Sequence, residues 1–215
     1  MEPNEQRKPH EIKEFQTNSR LEAFSDGVFA IVITLLVLEL TITELHNPDS
    51  KHELFYALYL IRNKLISYAI CFLFVGQLWV SHTNFYRLVS KTNIIIFWFN
   101  NVLLMCVCLF PFVAMIVGDY PNNPGAIMIF GILYTATGLA FCAMSAYCAV
   151  KKYFVNVIPA QQLKTGSLVM TVLAVISIVP VFIADYNPAF ALGCYFVLTL
   201  GYIFAQSFFV VREKK

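Results

Sequence analysis

The sequence predicts an all-α membrane protein with six transmembrane helices, and three observations lead to this fold class. Of the 215 residues, 59% are hydrophobic and 13% are charged, whereas a typical soluble domain is about 45–50% apolar and about 25% charged. The apolar residues are grouped into segments of membrane-spanning length, and short polar breaks separate these segments. A soluble fold of this size could not bury so much apolar surface, so we expect the excess to face lipid.

Six segments reach the roughly 20 mostly apolar residues that a membrane helix needs. Five of them cover residues 21–42, 94–117, 126–150, 163–184 and 189–211. The second in chain order is centred on residues 65–80, with an amphipathic approach from Leu54. Turn-forming residues at 47–49, 119–125 and 185–188 mark three of the breaks. Pro111 and Pro180 lie within the third and fifth segments. We expect them to kink these helices, which packed membrane helices tolerate.

The chain is expected to form one domain without internal repeats. A polar cytoplasmic tail (1–18) precedes the six-span domain (19–211), and a short basic cytoplasmic tail (212–215) follows it. No secretory signal is predicted, because the first 17 residues are polar and charged and contain no apolar core.

The distribution of lysine and arginine predicts the orientation. Twelve of the 15 lie in the N-terminal segment, the second-to-third and fourth-to-fifth connections, and the C-terminus. The remaining three are Lys51, Arg62 and Lys64, on the other side of the predicted bundle. The positive-inside rule therefore predicts that both termini are cytoplasmic, which agrees with an even number of spans.

The composition argues against several other classes of protein. A net charge of +2, without a basic run or a recognition motif, gives no reason to expect nucleic-acid binding. The six cysteines all lie in apolar runs and form no C-x-x-C pair, so they are read as buried free thiols, with a zinc or redox role as the alternative.

An enzyme is not expected either. Of the four histidines, only His82 lies near other polar motif residues, and one histidine does not make a metal site. Glu39 and Glu44 could be a catalytic pair, but solvated charges that concentrate cations at a pore mouth are more ordinary. No catalytic residue, metal site or cofactor is predicted.

The first span is unusual because it combines charged residues with a defined aliphatic stripe. Asp26 lies deep enough in the helix to need a partner, since charges within membrane helices usually face protein or water. At about 100° per residue, four residues share one stripe turned away from Asp26. They are Ile31, Thr34, Leu35 and Leu38. Such a stripe usually faces lipid or neighbouring helices. The spacing of Ala23 and Gly27 would permit close helix approach.

The motif Arg20-x-x-x-Phe24-Ser25-Asp26-Gly27 resembles the signature of the transmembrane protein 175 family of potassium channels. The pattern Gly76-x-x-Trp79-x-x-His82 at the end of the second span, and Trp98-x-Asn100 followed by an apolar run to Pro111-Phe112, resemble the same family. Thr83 stands where many relatives have a second histidine, and Tyr86 stands where a phenylalanine is expected. We interpret both as changes in a supporting network.

The resemblance implies a pore lined by the first helix of each six-span unit. Members with one unit per chain are bacterial and assemble as tetramers, so a homotetramer in the bacterial plasma membrane is expected, with lipid and monovalent cations as its other partners. By the same resemblance Ile31 is the constriction, Leu35 and Leu38 are further hydrophobic layers, and Thr34 gives preference for the permeant ion K⁺ over Na⁺.

The motif residues are expected to hold the first helix rather than to touch ions. No T-V-G-Y-G segment exists that could form a filter of backbone carbonyls, so selectivity must come from pore width and side chains. Candidate partners for Arg20, Ser25 and Asp26 are Trp79, His82 and Asn100, with Trp98 in the same supporting network. The alternatives are a proton channel, in which Asp26 and His82 relay protons, and a secondary transporter.

Overall fold

The computed structural model describes residues 9–42, 45–47, 49–155 and 160–212, and it describes the side chains of these residues except for 9–18, 160, 162–164 and 205–212. This part of the chain is almost entirely helical and contains no strand, only an isolated β-bridge. Its elements are α1 (Pro9–Leu35), a 3₁₀ helix (Leu36–Glu39), α2 (Lys51–Leu60), α3 (Arg62–Leu88), α4 (Ile94–Cys108), α5 (Phe110–Asp119), α6 (Pro124–Val150), α7 (Ala160–Ile176), α8 (Val179–Ile183) and α9 (Pro188–Arg212).

Within the described residues, five stretches are long and apolar enough to cross a membrane: Ser19–Glu39, Arg62–Leu88, Ile94–Asp119, Pro124–Val150 and Thr165–Ile183. The sixth predicted span corresponds to α9. The part of α9 with described side chains, Pro188–Phe204, is apolar but shorter than the other five stretches. The all-helical membrane fold is therefore confirmed, with five candidate spans and a shorter apolar helix. Glu44, the first eight residues and the last three residues lie outside the described part of the chain, so the predictions made for them stay predictions.

Two helix boundaries differ from those predicted. The first helix begins at Pro9, within the segment predicted as a polar tail. The second span extends to Leu88, beyond the predicted end at residue 80. Ser81 and His82, the polar residues that follow Val80, are both buried. Because their side chains face the protein interior, the helix continues past them. The approach to this span is the separate helix α2, with Ser50 as its N-cap.

Both predicted proline distortions occur as interruptions of the helix. Pro111 follows a break at Leu109 that separates α4 from α5, and Pro180 follows a break at 177–178 that separates α7 from α8. Proline has no N–H to continue the helical hydrogen bonds. At the second break the carbonyl oxygen of Ser177 instead accepts a hydrogen bond of 3.1 Å from the Tyr195 hydroxyl.

The core lies around α3, which contacts α1, α5 and α9. Its centre is aromatic: the rings of Phe74 and Tyr134 stack with centroids 3.9 Å apart, and Tyr195 packs 5.1 Å from Tyr134. Gly131 permits this packing, because a Cβ atom there would collide with the Tyr195 hydroxyl and lie 2.7 Å from Val181. At the first turn of α3, Lys64 forms a salt bridge of 2.7 Å with Asp119, which fixes one end of the bundle.

Candidate functional site

The first helix has one face buried in the bundle and another that the chain leaves exposed. The buried face follows helical spacing and consists of side chains that are at most 6% exposed: Leu21, Ser25, Phe29, Val32 and Leu36. Period-3.6 burial of this kind fixes the rotation of a helix about its own axis. The face opposite is therefore presented in a defined direction, away from the rest of the chain.

The predicted aliphatic stripe lies on that exposed face. Ile31 is 59% exposed and Leu38 is 66% exposed, and Thr34 and Leu35 are exposed as well. The change from α-helix to 3₁₀ helix after Leu35 alters the predicted geometry. Side chains three residues apart eclipse each other in a 3₁₀ helix, so Leu38 is expected to align with Leu35 more closely than α-helical spacing would allow.

Thr34 is the polar member of this stripe, and its hydroxyl has a defined orientation. The Oγ1 atom donates a hydrogen bond of 2.8 Å to the carbonyl oxygen of Ile31 in the preceding turn. A hydroxyl carries one donor hydrogen and two acceptor lone pairs. With its hydrogen directed at its own helix, the Thr34 oxygen presents lone pairs on the exposed face, which is the arrangement that a cation can bind.

Two hydrogen-bonded groups attach the signature motif to α3 and α4. The indole N–H of Trp79 donates to a carboxylate oxygen of Asp26 at 2.9 Å. The amide of Asn100 donates to the Ser25 hydroxyl at 3.0 Å, and its oxygen lies 2.8 Å from Nε2 of His82. Ser25, His82 and Asn100 are fully buried. The structure therefore brings together five of the residues predicted for this network.

Several other predicted residues lie apart from these contacts. Trp98 is 62% exposed and packs edge-to-face on Phe97, away from the hydrogen-bonded group. Arg20 and Phe24 are exposed, and no described residue forms an ion pair with Arg20. At Gly27, no described atom lies within 4 Å of where a Cβ would stand. Nε2 of His82 lies against Asn100 and Nδ1 has no partner, so no direct hydrogen bond joins His82 to Asp26.

One corner of the network is incompletely satisfied. Within the part of the chain described, three buried side-chain atoms lack hydrogen-bond partners: His82 Nδ1, Thr83 Oγ1 and Tyr86 Oη. Each such group costs about 1–3 kcal/mol unless it finds a partner. Thr83 and Tyr86 are also the two positions that we interpreted from the sequence as departures from the pattern that the motif resembles. The departures and the unsatisfied atoms therefore coincide.

The segment that follows the first helix is held by a carboxylate that sequence reasoning missed. Glu53, in the first turn of α2, accepts hydrogen bonds from the backbone N–H groups of His46 and Asn47. These two hydrogen bonds lower the pKa of the Glu53 carboxyl. The capping pattern of Ser50 and Glu53 at a helix start was the available signal. Of the predicted mouth charges, Glu39 is half-buried at the end of the 3₁₀ helix.

No metal site accompanies this network in the described residues, which contain no group of three or more His, Cys, Asp or Glu side chains that could hold an ion. The cysteines are free thiols, as predicted, but only Cys71 and Cys148 are buried, and Cys108 is exposed on the apolar surface of α4. What the arrangement offers is an anchored helix with an outward aliphatic stripe and one oriented hydroxyl.

Comparison with known proteins bears on the same segment. Residues 20–111 match the model of the family described as "Endosomal/lysosomal potassium channel TMEM175". Over this stretch the chain is similar to the TMEM175 family. The predicted family resemblance is thus confirmed, and the TMEM175 relatives are ion channels rather than enzymes.

Individual relatives agree with this assignment. The chain is 35% identical over 116 residues to a potassium channel of Chamaesiphon minutus, covering 54% of this chain and 57% of the relative. It is 25% identical over 132 residues to the endosomal/lysosomal proton channel TMEM175 of Homo sapiens, covering 61% and 26%. The matched region thus spans about three fifths or less of these curated relatives.

A solved structure extends the likeness to most of the fold. The crystal structure of a lysosomal potassium-selective channel TMEM175 homolog from Chamaesiphon minutus superposes with a TM-score of 0.78 and 24% identity. The match covers 88% of this chain and 97% of that one. At this identity the TMEM175 match shows a shared fold, including the region beyond residue 111.

Proposed function

We propose that this protein is a potassium-permeable cation channel in which copies of α1 line a central pore. The observation that carries the proposal is the exposed stripe of Ile31, Thr34, Leu35 and Leu38 on a helix whose other face is anchored. Bacterial relatives named as potassium channels support the choice of ion. The proposed location is the plasma membrane of a bacterium, with both termini cytoplasmic.

The pore requires several copies, because a stripe on the surface of one bundle encloses nothing. A ring of identical subunits would bring one stripe from each copy to a common axis. Four copies are proposed, as in the family that the motif segment resembles. Ala23 and Gly27 are small and exposed beside the stripe, so they would allow neighbouring first helices to approach closely.

Conduction in this proposal depends on width and on one ring of oxygens. In the closed state the Ile31 side chains exclude water from the narrowest point, since hydrophobic constrictions close a pore by dewetting. Opening widens this ring. The Thr34 oxygens then replace part of the hydration shell of a passing cation, and potassium, which loses water more readily than sodium, passes preferentially. Ser25, Asp26, Trp79, His82 and Asn100 hold the helix and do not contact the ion.

Purified protein in liposomes tests the proposal directly. Ion flux is measured under separate potassium, sodium and proton gradients, with empty liposomes as the background. We expect electrodiffusive flux that is larger with potassium than with sodium. Saturable flux coupled to a second solute would identify a transporter, and the absence of cation flux in every gradient would contradict the channel assignment.

A second candidate is a proton channel, favoured by the buried histidine and by vertebrate relatives named as proton channels. The hydrogen bonds of this chain weaken a relay between Asp26 and His82, because Asp26 binds the indole of Trp79 and an indole N–H only donates. Flux that follows the proton gradient and disappears in Asp26→Asn, while the variant still folds, would establish this alternative.

A further inference from the structure

Four exposed cations meet at the end of the bundle where α3 and α6 end. An isolated antiparallel bridge joins Val89, just after α3, to Phe154, just after α6. The backbone N–H of Ser90 donates to the Tyr153 carbonyl at 2.7 Å, and the N–H of Val155 donates to the Leu88 carbonyl at 2.8 Å. This register brings two connections side by side. The exposed cations that they carry are Arg87, Lys91, Lys151 and Lys152.

The bridge is reinforced, so the backbone segments that carry these cations are held side by side. The Ser90 hydroxyl donates a second hydrogen bond of 2.7 Å to the Tyr153 carbonyl. The Asn93 amide donates to the Tyr147 hydroxyl at 2.9 Å. In the antiparallel register Lys91 follows Ser90 and Lys152 precedes Tyr153, so the two lysines occupy facing positions. Like charges that face each other across strands are destabilising unless something compensates them.

The chain itself provides only part of the compensation. Glu22, in α1, is a carboxylate near this end of the bundle, since its charge acts on Tyr86, the residue before Arg87. No Asp or Glu occurs between Glu53 and Asp119, or between Asp119 and Asp185. The salt bridge that described residues form, Lys64 with Asp119, is at the opposite end of α3. The C-termini of α3 and α6 together contribute about one negative charge through their dipoles. Against four positive side chains, these dipoles and Glu22 leave a net charge of about +2.

Lys152 occupies a backbone position that ordinarily favours glycine. It closes α6 in a Schellman motif, in which its N–H donates to Ala149 and the N–H of Tyr153 donates to Cys148. Its φ of 57° is left-handed, where glycine is the usual residue and other residues are disfavoured by about 1–2 kcal/mol. A lysine at such a position gives up stability that glycine would supply.

We infer that Arg87, Lys91, Lys151 and Lys152 form a binding site for the phosphate headgroup of an anionic phospholipid. The cations lie at the ends of membrane-crossing helices, where headgroups are at the same level as the side chains. Polybasic groups in this location are attracted to anionic leaflets. This site does not depend on the proposed pore. It depends on the proposed orientation in one respect, which is that the lipid belongs to the cytoplasmic leaflet.

The test compares thermal unfolding in two kinds of vesicle, followed by intrinsic tryptophan fluorescence. One vesicle is phosphatidylcholine alone, and the other is a three-to-one mixture of phosphatidylcholine and phosphatidylglycerol. We expect a higher unfolding midpoint for the wild type in the mixed vesicle. The double variant Lys91→Gln/Lys152→Gly should lose at least half of this rise. In phosphatidylcholine alone its midpoint should not fall, because glycine relieves the left-handed strain.

The matched control is Lys51→Gln/Arg62→Gln, which removes two cations from the other end of the bundle and should keep the full rise. An equal loss in both double variants would mean general surface attraction and would overturn the site. A rise produced by inorganic phosphate added to phosphatidylcholine vesicles would assign the cluster to a free anion instead. Because no ion flux is measured, failure here is separate from failure of the channel proposal.

Discussion

The first helix and the α7–α8 pair are the two most exposed candidate spans, yet their polar side chains have different tasks. Of the residues in the most apolar part of each span, 28% are buried in the first span and 22% in the α7–α8 span. In the other three candidate spans the buried share is 44% or more. Exposed aliphatic side chains therefore occur on both. Exposure alone does not distinguish a pore wall from a surface that faces lipid.

At the α7–α8 junction, polar side chains compensate for a broken helix. The Tyr195 hydroxyl binds the carbonyl of Ser177, and Thr135 binds the Ser177 hydroxyl at 2.8 Å. Backbone groups released within a membrane must find such partners. The first helix is unbroken up to Leu35, so Ser25 and Asp26 have no backbone interruption to repair. Their contacts instead fix where the helix lies and which face it presents.

The largest expected effect separates these two exposed surfaces by the same substitution on each. Ile31→Asn places an amide at the proposed constriction, where it should favour water and raise leak current about tenfold or more, equivalent to a barrier lowered by about 1.4 kcal/mol. Leu168→Asn, on the exposed face of α7, is the matched control, because Leu168 is 64% exposed. Its current should stay at the wild-type level.

Currents in planar bilayers provide the measurement for this pair. Equal leak in the two variants would show that the effect comes from a polar group at any exposed surface. Unchanged current in Ile31→Asn would remove Ile31 from the ion path. Either result would abolish the proposed distinction between α1 and α7–α8.

The next effect concerns the anchor of the first helix. Asn100→Ala removes the partner of His82 Nε2, and a buried group left unpaired costs about 1–3 kcal/mol. It also removes one of two hydrogen bonds of the Ser25 hydroxyl, which still donates to the Leu21 carbonyl. The neighbouring half-buried Asn101 provides a matched control. In a thermal unfolding series, Asn100→Ala should lower the midpoint strongly and Asn101→Ala only slightly. The double variant Ser25→Ala/Asn100→Ala tests whether the two residues act as a unit. If its loss of stability equalled the sum of the two single losses, they would not.

The contrast also explains how far the sequence could predict this molecule. Long apolar segments, proline positions and the turn residues between them determine the order of the spans, because each is a local property. The stripe from Ile31 to Leu38 could be predicted for the same reason. The 3₁₀ ending of the helix could not, since it depends on how Leu36 packs against the bundle, where it is fully buried.

Contacts between distant segments were predictable only in part. Polar residues in apolar helices require partners, which was enough to expect Trp79, His82 and Asn100 near the signature motif. Trp98 shares the same family pattern, but its side chain lies on the exposed side of α4, and spacing from Asn100 alone did not reveal that. Neither segment shows a sequence pattern that would predict the bridge between Val89 and Phe154. Alternation of apolar and polar residues indicates a strand, and a single bridged pair does not require it.

A smaller effect sharpens the role of the one hydroxyl on the exposed stripe. Thr34→Ala removes the oxygen that faces the proposed ion path, and the potassium-to-sodium permeability ratio should fall about fivefold, as expected for a contact of about 1 kcal/mol. Thr34→Ser keeps the oxygen and should preserve most of the ratio. Reversal potentials under mixed-ion gradients provide the measurement. A ratio unchanged in Thr34→Ala would locate selectivity elsewhere in the pore.

The smallest effect compares the segments that follow the two exposed spans. Glu53 holds the backbone at 46–47 after the first helix, whereas the uncharged Asn187 accepts from the Phe190 N–H at 3.0 Å after α8. The lowered pKa of Glu53 means that its contribution is complete above the ordinary carboxyl value of 4.5 and is lost as the pH falls through the lowered value. Acidification should therefore release His46 and Asn47 but not Phe190.

Hydrogen–deuterium exchange, corrected for the intrinsic effect of pH, measures this difference. Protection of the 46–47 amides should decline in acid, and Glu53→Gln should show reduced protection already at neutral pH, because an amide presents one acceptor oxygen in place of two. Phe190 should be unaffected by either change. A parallel loss at both positions would indicate general acid unfolding. Acid would then not act selectively on the segment that follows the first helix.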